Sequence, residues 1–307
     1  MAVGWGSLRT ARMEMREQPS RLAKFSAVEL PRARQGSILV GAGDSFAAAL
    51  VGQHLSAGRM IAADPYVLAA TPSMAQGRDV YIVSVSGRTR TNIGLAKLLR
   101  GISRKTLAVT GDTNSPLASE ADVTISMPYR HRARRLPGLL AFTLSLVAVM
   151  KLLGLETRCD FRGASQPREG GVLSSSGTTY YLGNGALSGV ALYAAAKTYE
   201  ILGWRAHAEF LEEFSHMEVL SLSGSDSVNI LGGSDPLGYG AKLRDSLERE
   251  GFSVSLWDGR GGSVAESIFR SVFMVQSILL EEAKNKKMRY PHLAGAQRQL
   301  RISDAMI

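Results

Sequence analysis

The chain reads as an α/β protein built from two parallel-sheet domains. Three observations predict this. Short apolar runs of strand length alternate with amphipathic, helix-length stretches, the signature of a parallel sheet covered on both faces. A glycine-rich turn stands directly behind several of the apolar runs. The order strand, Gly-rich turn, helix then restarts after residue 178, so the pattern occurs twice as a diverged tandem repeat.

The elements justify the reading in order. Residues 7–17 have a helical pattern, and 18–36 form a polar connection holding Pro19 and Pro31. A strand is expected at Ser37-Ile38-Leu39-Val40, a helix from Ser45 to Ser56, a short strand at Tyr66-Val67-Leu68 and a strand at Val80-Tyr81-Ile82-Val83. A helix from Thr91 to Arg100, strands at 106–109 and 123–125, and a long helix at 137–153 complete the first half. Arg, Gly, Ser and Pro dominate residues 157–178, including Glu169-Gly170-Gly171 and Ser174-Ser175-Ser176-Gly177, which is linker composition. Strands at 180–182, 228–231 and 253–256 and helices from 186 to about 202, 237–250 and 263–283 follow. The turns Gly41-Ala42-Gly43 and Gly183-Asn184-Gly185 correspond, and Gly232-Gly233-Ser234-Asp235 stands behind a further strand. The expected division is 1–36 (N-terminal helix and connection), 37–156 (first domain), 157–178 (linker) and 179–307 (second domain).

Length and composition bound the rest. At 307 residues the chain suits two domains. A single cysteine, Cys159, leaves no intramolecular disulfide, and no cysteine–histidine spacing suggests zinc, so a cytoplasmic setting without metal is expected. The net charge of +9 fits several anionic partners. Its densest run, Arg130-His131-Arg132-Ala133-Arg134-Arg135, lacks interleaved aromatics, so nucleic acid is not the expected partner. Leu136 to Met150 falls short of the roughly 20 apolar residues of a membrane span, and Met1 to Thr10 has no signal-peptide core. No membrane partner is expected.

Two segments carry the chemistry. Gly41-Ala42-Gly43-Asp44-Ser45 and Ser84-Val85-Ser86-Gly87-Arg88-Thr89 each follow a strand, where helix N-termini present unpaired N–H groups to an anion. Gly43 and Gly87 free the backbone, and Ser45, Ser84, Ser86 and Thr89 add hydroxyls, which suits a phosphate monoester. The alternative is plain capping by Asp44 or Ser45 and by Ser86 or Thr89; capping accounts for one hydroxyl per helix and not for the set. Asp44 should turn away from a phosphate, and Arg88 could pair with it. The third glycine of a dinucleotide fingerprint and the Walker lysine are both missing, which excludes nucleotides.

These residues resemble the sugar isomerase (SIS) domain family in its tandem arrangement, over residues 37 to about 280. Gly43-Asp44-Ser45 is similar to the family's first phosphate loop, and Ser84 to Thr89 to its S-x-S-G-x-T loop. Within the family the chain looks most like the archaeal bifunctional phosphoglucose/phosphomannose isomerases, because His131-Arg132-Ala133 stands where that group has a P-R-A segment before a long helix. The resemblance implies two flavodoxin-like sandwiches, no cofactor, and aldose–ketose isomerisation of a sugar 6-phosphate, probed through a glutamate and a histidine sixteen residues later, here Glu200 and His216. It also implies a homodimer, the histidine commonly reaching the neighbouring subunit's site.

The chemistry of those side chains agrees with that role. A partly buried carboxylate, Glu200, can move the C2 proton to C1 through a cis-enediol. His216 suits ring opening, and Arg132 suits the enediolate charge. The competing readings are a surface pair of Lys197 and Glu200, a solvated Arg132, and His216, His207 and His54 as satisfied loop histidines; Glu212 and Glu213 crowd His216. Glucosamine-6-phosphate synthases need a C-terminal lysine and an N-terminal cysteine. Here the last lysine is Lys287 and the chain starts Met1-Ala2, so glutamine-dependent amide transfer is not expected. A non-catalytic sugar-phosphate binder, or a glucosamine-6-phosphate isomerase or deaminase without a glutaminase domain, remains the alternative.

Overall fold

A computed structural model describes residues 6–133, 135–166, 170–232, 235–257 and 262–306. Arg134 of the basic run, Glu169 of the linker stretch and Gly233-Ser234 of the third turn lie outside them. The chain divides into two compact units, one of Ser20–Arg132, Gly138–Arg158 and Ala296–Ile307, the other of Met1–Pro19, Ala133–Pro137 and Cys159–Gly295.

The first unit holds five strands: β1 (Ile38–Val40), β2 (Ile61–Ala63), β3 (Asp79–Val83), β4 (Lys105–Thr110) and β5 (Val123–Ser126). They pair in parallel in the order β2-β1-β3-β4-β5. β1 and β3 are buried at every position, as a strand covered on both faces must be. One face packs Ile38, Val40, Val80, Ile82 and Ala108 against Leu68, Leu95 and Leu99 of the covering helices. Helix Leu140–Leu152 starts three residues later than the apolar pattern suggests and is buried on nearly all sides, Lys151 excepted. Its length is thus explained by a core. Among the described residues no helix is long and apolar enough to cross a membrane.

The second unit holds β6 (Thr179–Leu182), β7 (Ala206–Glu209), β8 (Ser227–Leu231) and β9 (Ser253–Trp257), all parallel, in the order β7-β6-β8-β9. Tyr180, Leu182, Val228 and Ile230 pack on Leu211, Phe214 and Leu247. Asn229, fully buried in β8, accepts from the Val172 N–H at 2.9 Å and donates to the Val172 carbonyl at 2.8 Å, tying the Gly- and Ser-rich stretch to the sheet.

The element boundaries differ from expectation in further places. The second strand is Ile61–Ala63; Tyr66 to Leu68 lie in helix Pro65–Ala70, where the Asp64 carboxylate caps the N–H groups of Tyr66 and Val67 and Pro65 fills the first turn. The first helix runs on through Pro19 as Leu8–Ser26. Helix Phe161–Ala164, capped by Asp160, interrupts the expected linker. β7 is additional, so His207 sits on a strand, and His54 in helix Asp44–Leu55, instead of in loops.

Candidate functional site

The two Gly-rich segments stand behind β1 and β3, which are paired neighbours, so both loops open at the carboxyl edge of one sheet. In the first, Gly43 has φ +56° and ψ −124° and forms the N-cap of helix Asp44–Leu55 without a side-chain cap bond. That conformation requires glycine. A Cβ on Gly41 would lie 2.3 Å from the Ser45 carbonyl carbon, so the turn closes only without one. Gly185 repeats the geometry at φ 55° and ψ −130°, which makes the two turns equivalent.

The second loop leads into helix Arg90–Leu98. Its N-cap, Thr89, makes no side-chain cap bond, whereas the Ser86 hydroxyl accepts the Arg88 N–H at 3.2 Å. Capping therefore does not employ Thr89, and its hydroxyl and the N–H groups of the first turn stay available to an anion. Gly87, at φ +61°, is pressed against Ser115: a Cβ there would meet Ser115 Oγ at 2.0 Å. Ser45 and Ser84 are buried at the loop bases, 8% and 3% exposed. Arg88 pairs with Asp112 at 3.0 Å, both exposed, so its charge is already partly answered inside the protein.

Two adjoining cavities open beside this loop. The smaller, about 410 Å³, is lined by Ser86, Arg88, Thr113, Asn114 and His131. The larger, about 540 Å³, is lined by Arg21, Thr113, Arg130, His131 and Arg132. Arg132, exposed on the segment before helix Leu140–Leu152, thus shares a wall with the second loop's surroundings, while Gly43 and Ser45 line neither space. The sequence reading missed a third loop, Gly111-Asp112-Thr113-Asn114-Ser115 behind β4. The signal was there: a glycine and four polar residues directly behind Val109-Thr110, a glycine- and hydroxyl-bearing turn behind a strand as in the two loops it did single out. Thr110 Oγ1 accepts the Asp112 N–H and Asp112 Oδ1 that of Asn114, which fixes the turn.

In the other unit, Glu200 is the penultimate residue of helix Ala186–Ile201. Lys197 is fully buried, and its Nζ donates to Glu200 Oε2 at 2.5 Å; the glutamate side chain is 29% exposed. The pair forms, but its lysine belongs to the interior and not to the surface, and a buried ammonium persists only against an opposite charge. Lys197 Nζ also lies 5.4 Å from the ring centroid of Tyr193. Tyr193 accepts from Gln276 at 3.0 Å, and Gln276 from Gln18 at 2.6 Å, so Glu200 stands at the outer end of a buried polar network. His216 ends helix Leu211–His216, 70% exposed, with Nε2 3.2 Å from Glu212 Oε1. The six phosphate-loop residues and Arg132 lie in the five-stranded unit, Glu200 and His216 in the four-stranded one.

Comparison with known proteins adds a family match over part of the chain. No curated protein sequence matches the chain. Among solved structures, glucosamine-6-phosphate deaminase from Thermotoga maritima is 18% identical with a TM-score of 0.70, over 92% of this chain and 96% of that one. Tagatose-6-phosphate ketose/aldose isomerase from Escherichia coli is 17% identical, TM-score 0.70, over 93% and 95%. The C-terminal domain of glucosamine-fructose-6-phosphate aminotransferase from Francisella tularensis is 13% identical, TM-score 0.62, over 90% and 96%. At such identities these likenesses show the fold. Residues 33–155, which hold the five strands and both loops, match the SIS domain family, and the chain as a whole carries two SIS-like parallel sheets flanked by helices.

Proposed function

We propose that this protein is a phosphosugar isomerase that interconverts glucose or mannose 6-phosphate with fructose 6-phosphate. The observation that carries the reading is the pair of loops behind β1 and β3: glycine turns, uncapped helix N-termini and a free Thr89 hydroxyl on neighbouring strands of a SIS domain. In this reading the backbone N–H groups around Gly43 and Gly87 and the hydroxyls of Ser45, Ser84, Ser86 and Thr89 hold the phosphate. His216 shuttles the ring-opening proton. Glu200, ion-paired with Lys197, takes the proton from C2 and returns it to C1. Arg132 stabilises the enediolate oxygen. The enzyme acts as a cytoplasmic homodimer on a small-molecule substrate.

The test is turnover of glucose, mannose and glucosamine 6-phosphates by the full chain beside Glu200→Gln. Loss of about 10²–10⁴-fold in kcat with KM retained is expected; unchanged turnover removes Glu200 as the base. A second reading, a sugar-phosphate binder without turnover, is favoured by the exposure of His216, whose ring meets only Glu212 among the described residues. Saturable binding of fructose 6-phosphate with no conversion of any of the three sugars supports it. Release of ammonia and fructose 6-phosphate in equal amounts from the glucosamine compound, with no conversion of glucose or mannose 6-phosphate, would instead point to a deaminase.

A further inference from the structure

We propose that His207, Glu209 and Glu218 form a binding site for a divalent transition-metal cation of the zinc class. The inference stands apart from the isomerase reading and uses none of its residues. His207 and Glu209 are two apart on β7, so they project from the same face of the edge strand. Glu218 opens the short 3₁₀ turn Glu218–Ser221. One ligand atom from each lies within 4.8 Å of the others. His207 Nε2 is 3.3 Å from Glu218 Oε1 and 3.7 Å from Glu209 Oε2. A tetrahedral cation with bonds of about 2.0–2.2 Å sets its ligand atoms about 3.3–3.6 Å apart; the Glu218 distance falls in that range, the Glu209 distance lies just beyond it, and small side-chain rotations close the set.

The hydrogen bonding points the same way. His207 Nε2 and Glu218 Oε2 are shielded from solvent and have no hydrogen-bond partner, even though imidazole and carboxylate stand so close. Two carboxylates facing one imidazole repel one another, and neither closes a good hydrogen bond to the ring; a cation would satisfy all three at once. The surroundings fix the donors. The His207 ring packs edge-on against Tyr180, centroids 5.9 Å apart, and Glu209 Oε1 accepts the Phe210 N–H at 2.7 Å, leaving Oε2 for the cluster. One nitrogen and two oxygens suit zinc, cobalt or manganese better than a soft cuprous ion. The expectation of no metal looked only for cysteine–histidine spacing, and His-x-Glu on an edge strand falls outside that pattern. Bound there, the cation would tie β7 to the segment just after His216.

Full-length protein stripped with a chelator is titrated with Zn²⁺ by calorimetry, and Co²⁺ is added separately to follow its visible d–d absorption. One equivalent of zinc is expected, with affinity at least about tenfold weaker in His207→Gln and in Glu218→Gln, and unchanged in His54→Gln. Tetrahedral cobalt bands should appear in the parent and vanish in His207→Gln. Thermal midpoints of the metal-free variants establish that they fold, and Glu209→Gln replaces either variant that does not. Absence of saturable zinc binding, or equal affinity in parent and variants, overturns the proposal.

Discussion

Replacing Gly87 with alanine tests whether the second loop is held by backbone geometry as described. Two costs add. The residue sits at φ +61°, where an L side chain loses about 1–2 kcal/mol. Its new Cβ would also lie 2.0 Å from Ser115 Oγ and 2.5 Å from Ser115 Cβ, an overlap relieved only by moving the residue that caps helix Pro116–Glu120 through the Ala118 N–H. Overpacking of this kind costs about 1–3 kcal/mol, so the total is about 2–5 kcal/mol. Ser115→Gly removes the two nearest obstructing atoms, leaving Thr110 Oγ1 at 3.1 Å, and as a cap substitution costs only about a few tenths of a kcal/mol. In that background Gly87→Ala should lose only the strain. The four proteins of the cycle are compared by urea unfolding followed by far-ultraviolet circular dichroism, because the tryptophans among the described residues, Trp204 and Trp257, lie in the other unit. A coupling of about 1–3 kcal/mol is expected; additivity within about 0.5 kcal/mol refutes the clash.

Thr89→Val should weaken fructose 6-phosphate binding about tenfold in calorimetry while leaving the thermal midpoint in place, because the hydroxyl caps nothing; a fall in the midpoint with affinity unchanged would make Thr89 structural. Burial, aided by Glu266 and Asp160, pushes the Cys159 thiol from 9.0 to about 12. At pH 8 its thiolate fraction is then roughly a thousandfold smaller than an ordinary cysteine's, so iodoacetamide should label the native protein slowly and the urea-unfolded protein fast. Equal rates would mean that the thiol is not shielded. Asn229→Leu strands the Val172 N–H and carbonyl and should cost about 2–4 kcal/mol, with faster proteolysis near residue 172 as the readout; an unaltered digestion pattern would show that the stretch is held by other contacts.

What the sequence made legible follows physical rules. β1, β3, β4 and β8 announced themselves because central strands of a parallel sheet are buried on both faces and carry runs of apolar residues. β7 did not, since Ala-His-Ala-Glu has neither β-branched residues nor a continuous apolar run, and its place at the edge spares it from needing them. Tyr66-Val67-Leu68 looked like a strand because its residue types favour one, yet Asp64-Pro65 ahead of it is a helix start, and the cap bonds prevailed. Pro19 suggested a helix end; the helix continues, and Leu22 and Phe25 beyond the proline are buried on it. The glycine loops were readable because their backbone demands glycine. Lys197 was legible as a charge but not as a buried one, for burial comes from the tertiary packing of Tyr193 and its neighbours and leaves no mark at i, i+3 spacing.

The equivalence of the turns at Gly43 and Gly185 supplies an internal reference for anion recognition. Both turns follow a strand, open a long helix and share their φ and ψ to within a few degrees, yet Asp44-Ser45 is replaced by Ala186-Leu187 in the second. Backbone amides and helix polarity are thus held constant within one molecule while the side chains change. Comparing phosphate-induced amide shifts at the two places would separate what the peptide groups contribute to holding an anion from what hydroxyl and carboxylate add, with no variant needed.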